Sequence, residues 1–268
     1  VLILLPPSET KRDGGAGSPL AVDRLRFPSL NPVRRDVVEA VVALAADHDA
    51  AVRALKLGPK QAGEVARNRA IPSAPTMRAL ERYTGVLYDA LDAATLSEGE
   101  WAVAADTVAV QSALLGLVGA ADPIPAYRLS FDSRLSLQRG APSLKKRWAP
   151  AGGAALGDRD DLLLDLRSEG YAALAPLPDR TGAHYVRVLA RDEKGDVRAL
   201  NHFNKQAKGL LVRALIEAGA SPATTAELLE WAAGEGYELR PADGSRDLEL
   251  VVPEVRGAPG SLMAALRV

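Results

Sequence analysis

Tyr185-Val186-Arg187-Val188-Leu189, Val197-Arg198-Ala199-Leu200, and then Asn201-His202-Phe203-Asn204-Lys205-Gln206-Ala207-Lys208-Gly209-Leu210-Leu211-Val212-Arg213 on to Gly219 form the stretch that sets the fold. The two apolar runs read as strands with Gly195 in the turn between them. The remainder reads as a helix that Asn204 caps and Gly219 ends. At about 100° per residue, Ala207, Leu210, Leu211, Ala214, Leu215 and Ala218 share an apolar face, while Lys205, Lys208, Gly209 and Val212 fall opposite with Arg213 on the flank. Two lysines in a first turn oppose the helix dipole. That conflict disappears if an anion docks there, where free N–H groups point outward. Gly209 costs roughly 1 kcal/mol against Ala in a helix interior. It either leaves room for a ligand between the cations or admits a packed neighbour on a solvated cationic face.

Outward from this block, composition sets bounds. The 268 residues are 47% hydrophobic but only 4% aromatic, so Leu, Val and Ala must fill the core. The net charge of -1 gives no global field for nucleic acid, and any anion site must come from local clustering. With no cysteine and three scattered histidines, thiolate chemistry and His/Cys metal sites are excluded. No cofactor fingerprint is present, and no G-x-x-x-x-G-K-[ST] string marks a P-loop. No apolar run is long enough for a bilayer and no leader pattern appears, so a cytoplasmic protein without a membrane partner is expected.

Val1–Leu5 reads as a buried strand stopped by Pro6-Pro7, with Ser8-Glu9-Thr10-Lys11 at its carboxyl end, where open α/β sheets place ligand loops. Arg34–Leu55 is helical. Leu55–Ala66 reads as a tight turn between two helices, where Gly58 permits the turn and Pro59 opens the next helix. Lys56, Lys60, Arg67 and Arg69 flank it. Such a turn is either a plain helical corner or a helix-hairpin-helix module, although Lys60 replaces the usual second glycine. Ala79–Leu91, interrupted by Gly85, and Trp101–Leu117 read as helices. Tyr127-Arg128 is either a carboxylate or phosphate clamp or a structural hub. Leu162–Leu166 is a strand ending in Arg167-Ser168, Thr225–Ala233 a helix, and Tyr237–Arg240 with Leu248–Val252 a closing hairpin. These elements predict one α/β domain over 1–252, with mixed α+β as the variant, a central sheet covered by helices, and a loop-like tail over 253–268.

Several blocks in one order resemble the YaaA peroxide-stress family. They are Leu4-Leu5-Pro6-Pro7-Ser8-Glu9-Thr10-Lys11, Arg82-Tyr83-Thr84-Gly85-Val86-Leu87-Tyr88, Tyr127-Arg128-Leu129, Trp148, Asp165-Leu166-Arg167-Ser168 with Tyr171, and Phe203 to Leu210 with Arg213. The chain departs from many members in Ser112-Ala113-Leu114-Leu115-Gly116, where they have SGLYG. It also has Ser130 in place of a Glu and Asp165 in place of an Asn. The resemblance implies an unusual α/β fold with a helix-hairpin-helix and a basic cleft. It further implies a cytosolic protein that limits hydrogen peroxide damage and binds DNA, with no established reaction.

Two functional expectations follow. One is DNA binding, largely sequence-independent, with Lys56, Gly58, Lys60 and Arg67 at the hairpin and Lys205, Lys208, Gly209 and Arg213 along a cleft. The other is an enzyme for a small phosphorylated or nucleotide-like ligand, using Ser8, Glu9, Lys11, Arg82, Tyr83, Tyr88, Tyr127, Arg128, Asp165, Arg167, Ser168 and His202. Glu9 or Asp165 would be its base, Lys205 its electrophilic stabiliser, and Tyr83 and Ser168 further catalytic candidates. Both expect Arg128 and Arg167 to converge with Lys205, Lys208 and Arg213.

Overall fold

A computed structural model describes residues 1–253 except 137, 139, 192–196 and 200, with backbone only for 197–199 and 201–203. In chain order the elements are β1 (Leu2–Leu5), α1 (Asn31–Leu44), α2 (His48–Ala54), α3 (Glu64–Arg69), β2 (Met77–Arg78), α4 (Ala79–Arg82), α5 (Val86–Leu91) and α6 (Glu98–Thr107). Then come β3 (Val108–Ser112), β4 (Gly116–Gly119), β5 (Pro123–Ile124), α7 (Leu144–Gly157), β6 (Leu163–Asp165) and α8 (Glu169–Ala172). β7 (Ala183–Arg191), β8 (Val197–Ala199), α9 (Asn201–Glu217), α10 (Thr225–Gly234), β9 (Glu238–Pro241) and β10 (Leu248–Pro253) complete the described fold.

Eight strands make one mostly parallel sheet in the order β4-β3-β1-β6-β7-β10-β9, with β8 paired to β7. β1 is parallel to both β3 and β6, and all four of its residues are fully buried. The chain leaves β1 toward the β3 side and leaves β6 toward the β7 side. The order therefore reverses between β1 and β6, and the space outside their carboxyl ends is where open α/β sheets generally bind ligands. The expected strands at Val1–Leu5, Leu162–Leu166, Tyr185–Leu189 and Val197–Leu200 all contribute to this sheet, and β9 with β10 forms the expected antiparallel hairpin. Gly195, Leu200 and the tail from residue 254 lie outside the described residues.

The largest correction concerns Trp101–Leu117. The helix there stops at Thr107, and Val108–Ser112 enters the sheet beside β1 before turning into β4. β3 is buried throughout, so its sequence shows no alternation and fits either period. Ser112 fixes the turn, its Oγ accepting from the N–H groups of Leu114 (3.1 Å) and Leu115 (3.0 Å). Gly116 has φ 67°, and a Cβ there would stand 2.7 Å from the Trp148 ring, whose Nε1 donates to the Ala113 carbonyl.

Two smaller corrections are local. Arg34–Leu55 is two helices, because Asp47 caps α2 by accepting from the Ala50 N–H. As expected, Gly85, at φ 99°, interrupts Ala79–Leu91 and separates α4 from α5. α9 begins at Asn201 rather than after Asn204. At the opposite side, Arg34 is fully buried and donates to the carbonyls of Leu115, Leu117 and Arg26 and to Asn31 Oδ1.

Candidate functional site

The loop after β1 is held against the α4–α5 junction. Lys11 bridges Tyr83 in antiparallel fashion, Arg12 N–H donates to the Arg82 carbonyl, and Thr84 Oγ1 donates to Thr10 Oγ1 at 2.9 Å. This folds Lys11 back toward the loop that follows β1. Its Nζ donates to the carbonyls of Ser8 (3.0 Å) and Glu9 (3.3 Å) and lies 4.0 Å from the Tyr127 ring centre and 5.3 Å from that of Tyr83. Only 8% of Lys11 is exposed. Burial pushes its ammonium down to about 7; Arg128 and Arg67 push the same way, against Glu64 and Glu9. Behind it the hydroxyls of Tyr83, Tyr127 and Ser112 form a chain of 2.9 and 2.8 Å bonds. Burial raises both tyrosines, which keeps them protonated donors. Tyr88, on α5, donates to the Pro6 carbonyl at 2.7 Å.

Two further cations reach this place from elsewhere. Arg128 pairs with Glu9 at 2.7 Å, and Arg67 pairs with both Glu64 and Asp13. Asn68 fixes their relative position: its amide accepts from Arg128 N–H (2.7 Å) and donates to the Arg128 carbonyl (2.8 Å). The helix after the 55–63 turn is thereby tied to the segment that carries Arg128.

The other expected cations are interior. Arg167 is fully buried, with Asp165 accepting from its N–H, Nε and Nη2, Gln111 from Nη1 and the Ala175 carbonyl from Nη2. Arg82 is also fully buried and ties the carbonyls of Ile124, Arg12 and Pro75. Lys208, expected on an open face, is 5% exposed and donates to the Leu166 carbonyl at 3.0 Å. Burial lowers it to about 8, against the pull of Asp165. Arg213 closes the end of α5 through the carbonyls of Leu91 and Asp92 and lines a separate hollow of about 340 Å³ with Asp89, Asp92 and Tyr237. Lys205 and Ser168 are exposed, and the His202 side chain lies outside the described residues. The expected single concave basic surface is thus replaced by a smaller cluster of Lys11, Arg67 and Arg128.

Gly209 serves helix packing. A Cβ there would meet the Leu87 carbonyl oxygen at 2.2 Å and the Ala90 Cβ at 2.9 Å, so α5 occupies the space expected for a ligand. Gly209→Ala is expected to lose about 1–3 kcal/mol by overpacking despite its better helix propensity. A urea midpoint equal to wild type would show that α5 moves aside without cost.

The sequence profile described as Peroxide stress protein YaaA matches residues 1–243. The chain belongs to the YaaA peroxide stress family. A UPF0246 protein of Corynebacterium glutamicum is 43% identical over 255 residues, covering 94% of this chain and all of that protein. One from Streptomyces coelicolor is 39% identical over 265 residues, covering 95% of this chain and all of its own length. A Shewanella loihica UPF0246 protein is 32% identical over 174 residues, or 63% of this chain and 66% of its own.

Within this YaaA-family fold, the 55–63 turn joins α2 to α3 through a 3-10 turn at Pro59–Gln61, with Pro59 at its first position. Gly58 is extended (φ -73°, ψ 166°) and does not make the bend; the left-handed residue is Lys56 at φ 54°. Lys56 pairs with Asp132 at 2.6 Å, while Lys60 is exposed. Sequence reasoning missed Phe131, whose exposure (40%) is unusual for a large apolar side chain. Its ring rests on Gly170 and edges against Tyr171, with centroids 5.2 Å apart. A rare aromatic directly after Tyr127-Arg128-Leu129-Ser130 was the available signal. Asn68 was missed because nothing local distinguishes it from a solvated helix residue. Among the described residues no helix is long and apolar enough to cross a membrane, and no group of three or more His, Asp or Glu could hold a metal.

Proposed function

We propose that this protein acts in peroxide-stress protection by docking nucleic-acid phosphates on the face that runs from the 55–63 turn to Arg67 and Arg128. The observation that carries the reading is that Asn68 ties the backbone of Arg128 to the helix carrying Arg67, next to the turn that presents exposed Lys60, in a chain whose net charge is -1. Structural cations need not be gathered at a sheet's ligand edge, whereas phosphates reward it. Phe131 adds an exposed ring beside the Lys56–Asp132 pair, the combination of aromatic and cation that nucleic-acid surfaces use. Lys60→Glu is the clean test, because Lys60 is exposed and Lys56 is already engaged. Duplex affinity is expected to fall, with a salt slope shallower by about one. An unchanged slope and affinity would remove the hairpin from the interface.

A second reading is favoured by depth. Lys11 is too enclosed for a duplex phosphate to reach without rearrangement, and a small phosphorylated ligand is the anion that its surroundings of Tyr83 and Tyr127 favour.

A further inference from the structure

Phe131 is fixed more firmly than an idle surface ring requires. It stands at the tip of a turn closed by the Ser133 N–H, which donates to the Ser130 carbonyl at 3.0 Å, while Ser133 Oγ accepts from the Ser130 N–H at 3.0 Å. Two contacts hold the tip against the end of α2 and the turn that follows: Lys56 pairs with Asp132, and the Arg134 N–H donates to the Ala54 carbonyl at 3.1 Å. The ring lies on Gly170, where an added Cβ would stand 2.5, 2.6 and 2.8 Å from three of its carbons, so glycine is what leaves the seat open. Tyr171 meets the ring edge-on at 66°. The remainder, 40% of the residue, faces solvent, and among the described residues no other large apolar side chain is so exposed.

The size of the patch decides what it fits. A stable protein interface covers about 800 Å² on each partner. Beside this ring and its seat, Asp132, Ser168 and Glu169 are polar and exposed, so no apolar surface extends the patch. One bare aromatic face matches one flat group. We propose that Phe131 is a stacking platform for an unpaired base of a nucleic-acid strand, so that the ligand of this face is single-stranded rather than fully paired. The inference rests on the phosphate-docking reading above and names the form of its ligand. In a duplex both faces of each base are covered by its neighbours, and drawing one out has an unstacking cost that a single strand avoids. The contact asks nothing of the neighbouring ion pair: the ring acts through its face, and Lys56 stays engaged with Asp132.

The test uses the full chain and fluorescence anisotropy with three probes: an oligodeoxythymidine of about ten nucleotides, an abasic deoxyribose-phosphate strand of the same length, and a blunt duplex. At one fixed salt concentration the wild type should bind the thymidine strand about five- to a hundredfold more tightly than the abasic strand, the range that one aromatic–base stack produces. Phe131→Leu should erase most of that preference and leave duplex affinity unchanged. Phe131→Tyr, which keeps a ring on the same seat, should retain it. Neither change should alter the salt slope, because no phosphate contact is lost. The comparison of strands is made on the wild type, so it holds whether or not a substitution disturbs the turn. Equal wild-type affinity for the thymidine and abasic strands overturns the platform and leaves phosphate docking intact. So does a preference that survives Phe131→Leu, or an equal loss on the duplex. No binding to any of the three probes overturns both readings.

Discussion

Asp165→Ala is expected to be the most damaging single change at the sheet's carboxyl edge, at about 3–5 kcal/mol of stability. The pair it breaks is fully enclosed, with Arg167 at 0% and Asp165 at 1% side-chain exposure. Removing the carboxylate strands a guanidinium that keeps only Gln111 and the Ala175 carbonyl, and unpaired buried charge dominates such losses. Against a total stability of about 5–15 kcal/mol, that brings the fold near its threshold. Asp165→Asn should cost less, since one amide oxygen still accepts from the Arg167 N–H or Nε. The measurement is the urea midpoint at constant m-value. A loss under about 1 kcal/mol for Ala would mean that water or a rotated Gln111 takes over the carboxylate's place.

The second large effect is at Lys11 and runs the other way. The unfolded chain binds this proton up to a pKa of 10.5, the folded chain only up to about 7. Between those values the unfolded state holds more protons, so stability rises with pH across that window. Below about 7 both states are protonated and the full cost of burying the charge is felt. Lys208 adds the same sign between about 8 and 10.5. Lys11→Met should therefore be more stable than wild type at pH 6, on the order of 5 kcal/mol if the whole displacement counts. The gap should narrow as pH rises toward 10. The carbonyls of half-buried Ser8 and exposed Glu9 can turn to water instead. Thermal melts of both proteins at pH 6 and 9 decide it. A variant less stable at both pH values would make Lys11 a structural staple of its loop.

Much of the scaffold was legible where burial leaves a mark on the chain itself. Val1–Leu5 is an unbroken apolar run stopped by Pro6-Pro7, and Leu162–Leu166 is apolar except for Asp165, as parallel strands covered on both faces require. Val108–Ser112 has the same character but follows an Ala-rich helix without a breaker, so the boundary was invisible. The site divided differently. Glu9 and Lys11 drew notice as residues behind a strand end and Arg128 as half of a Tyr-Arg pair, and the structure brings Glu9 and Arg128 into one ion pair. The fates of Arg82, Arg167, Lys208 and Arg213 were hidden, since each answers a carbonyl or carboxamide contributed from far along the chain, such as Ile124 for Arg82 or Leu166 for Lys208. Helical periodicity assigns a face to a residue and cannot tell whether a second layer covers that face. α9 is apolar on one side and packed by α5 on the other, so both sides are inside.

Arg34 has a consequence for how the protein behaves in a crowded cell. β4 is the last strand on its side of the sheet, yet all four of its residues are buried, so carbonyls on its open side need donors from within the protein. Arg34 answers two of them, Leu117 on β4 and Leu115 in the turn before it, with a rigid fork that stands in for a neighbouring strand. Without the guanidinium those carbonyls would be buried and unpaired. A defect at this position should show itself first as insoluble protein during expression, before any change at the ligand edge on the far side of β1.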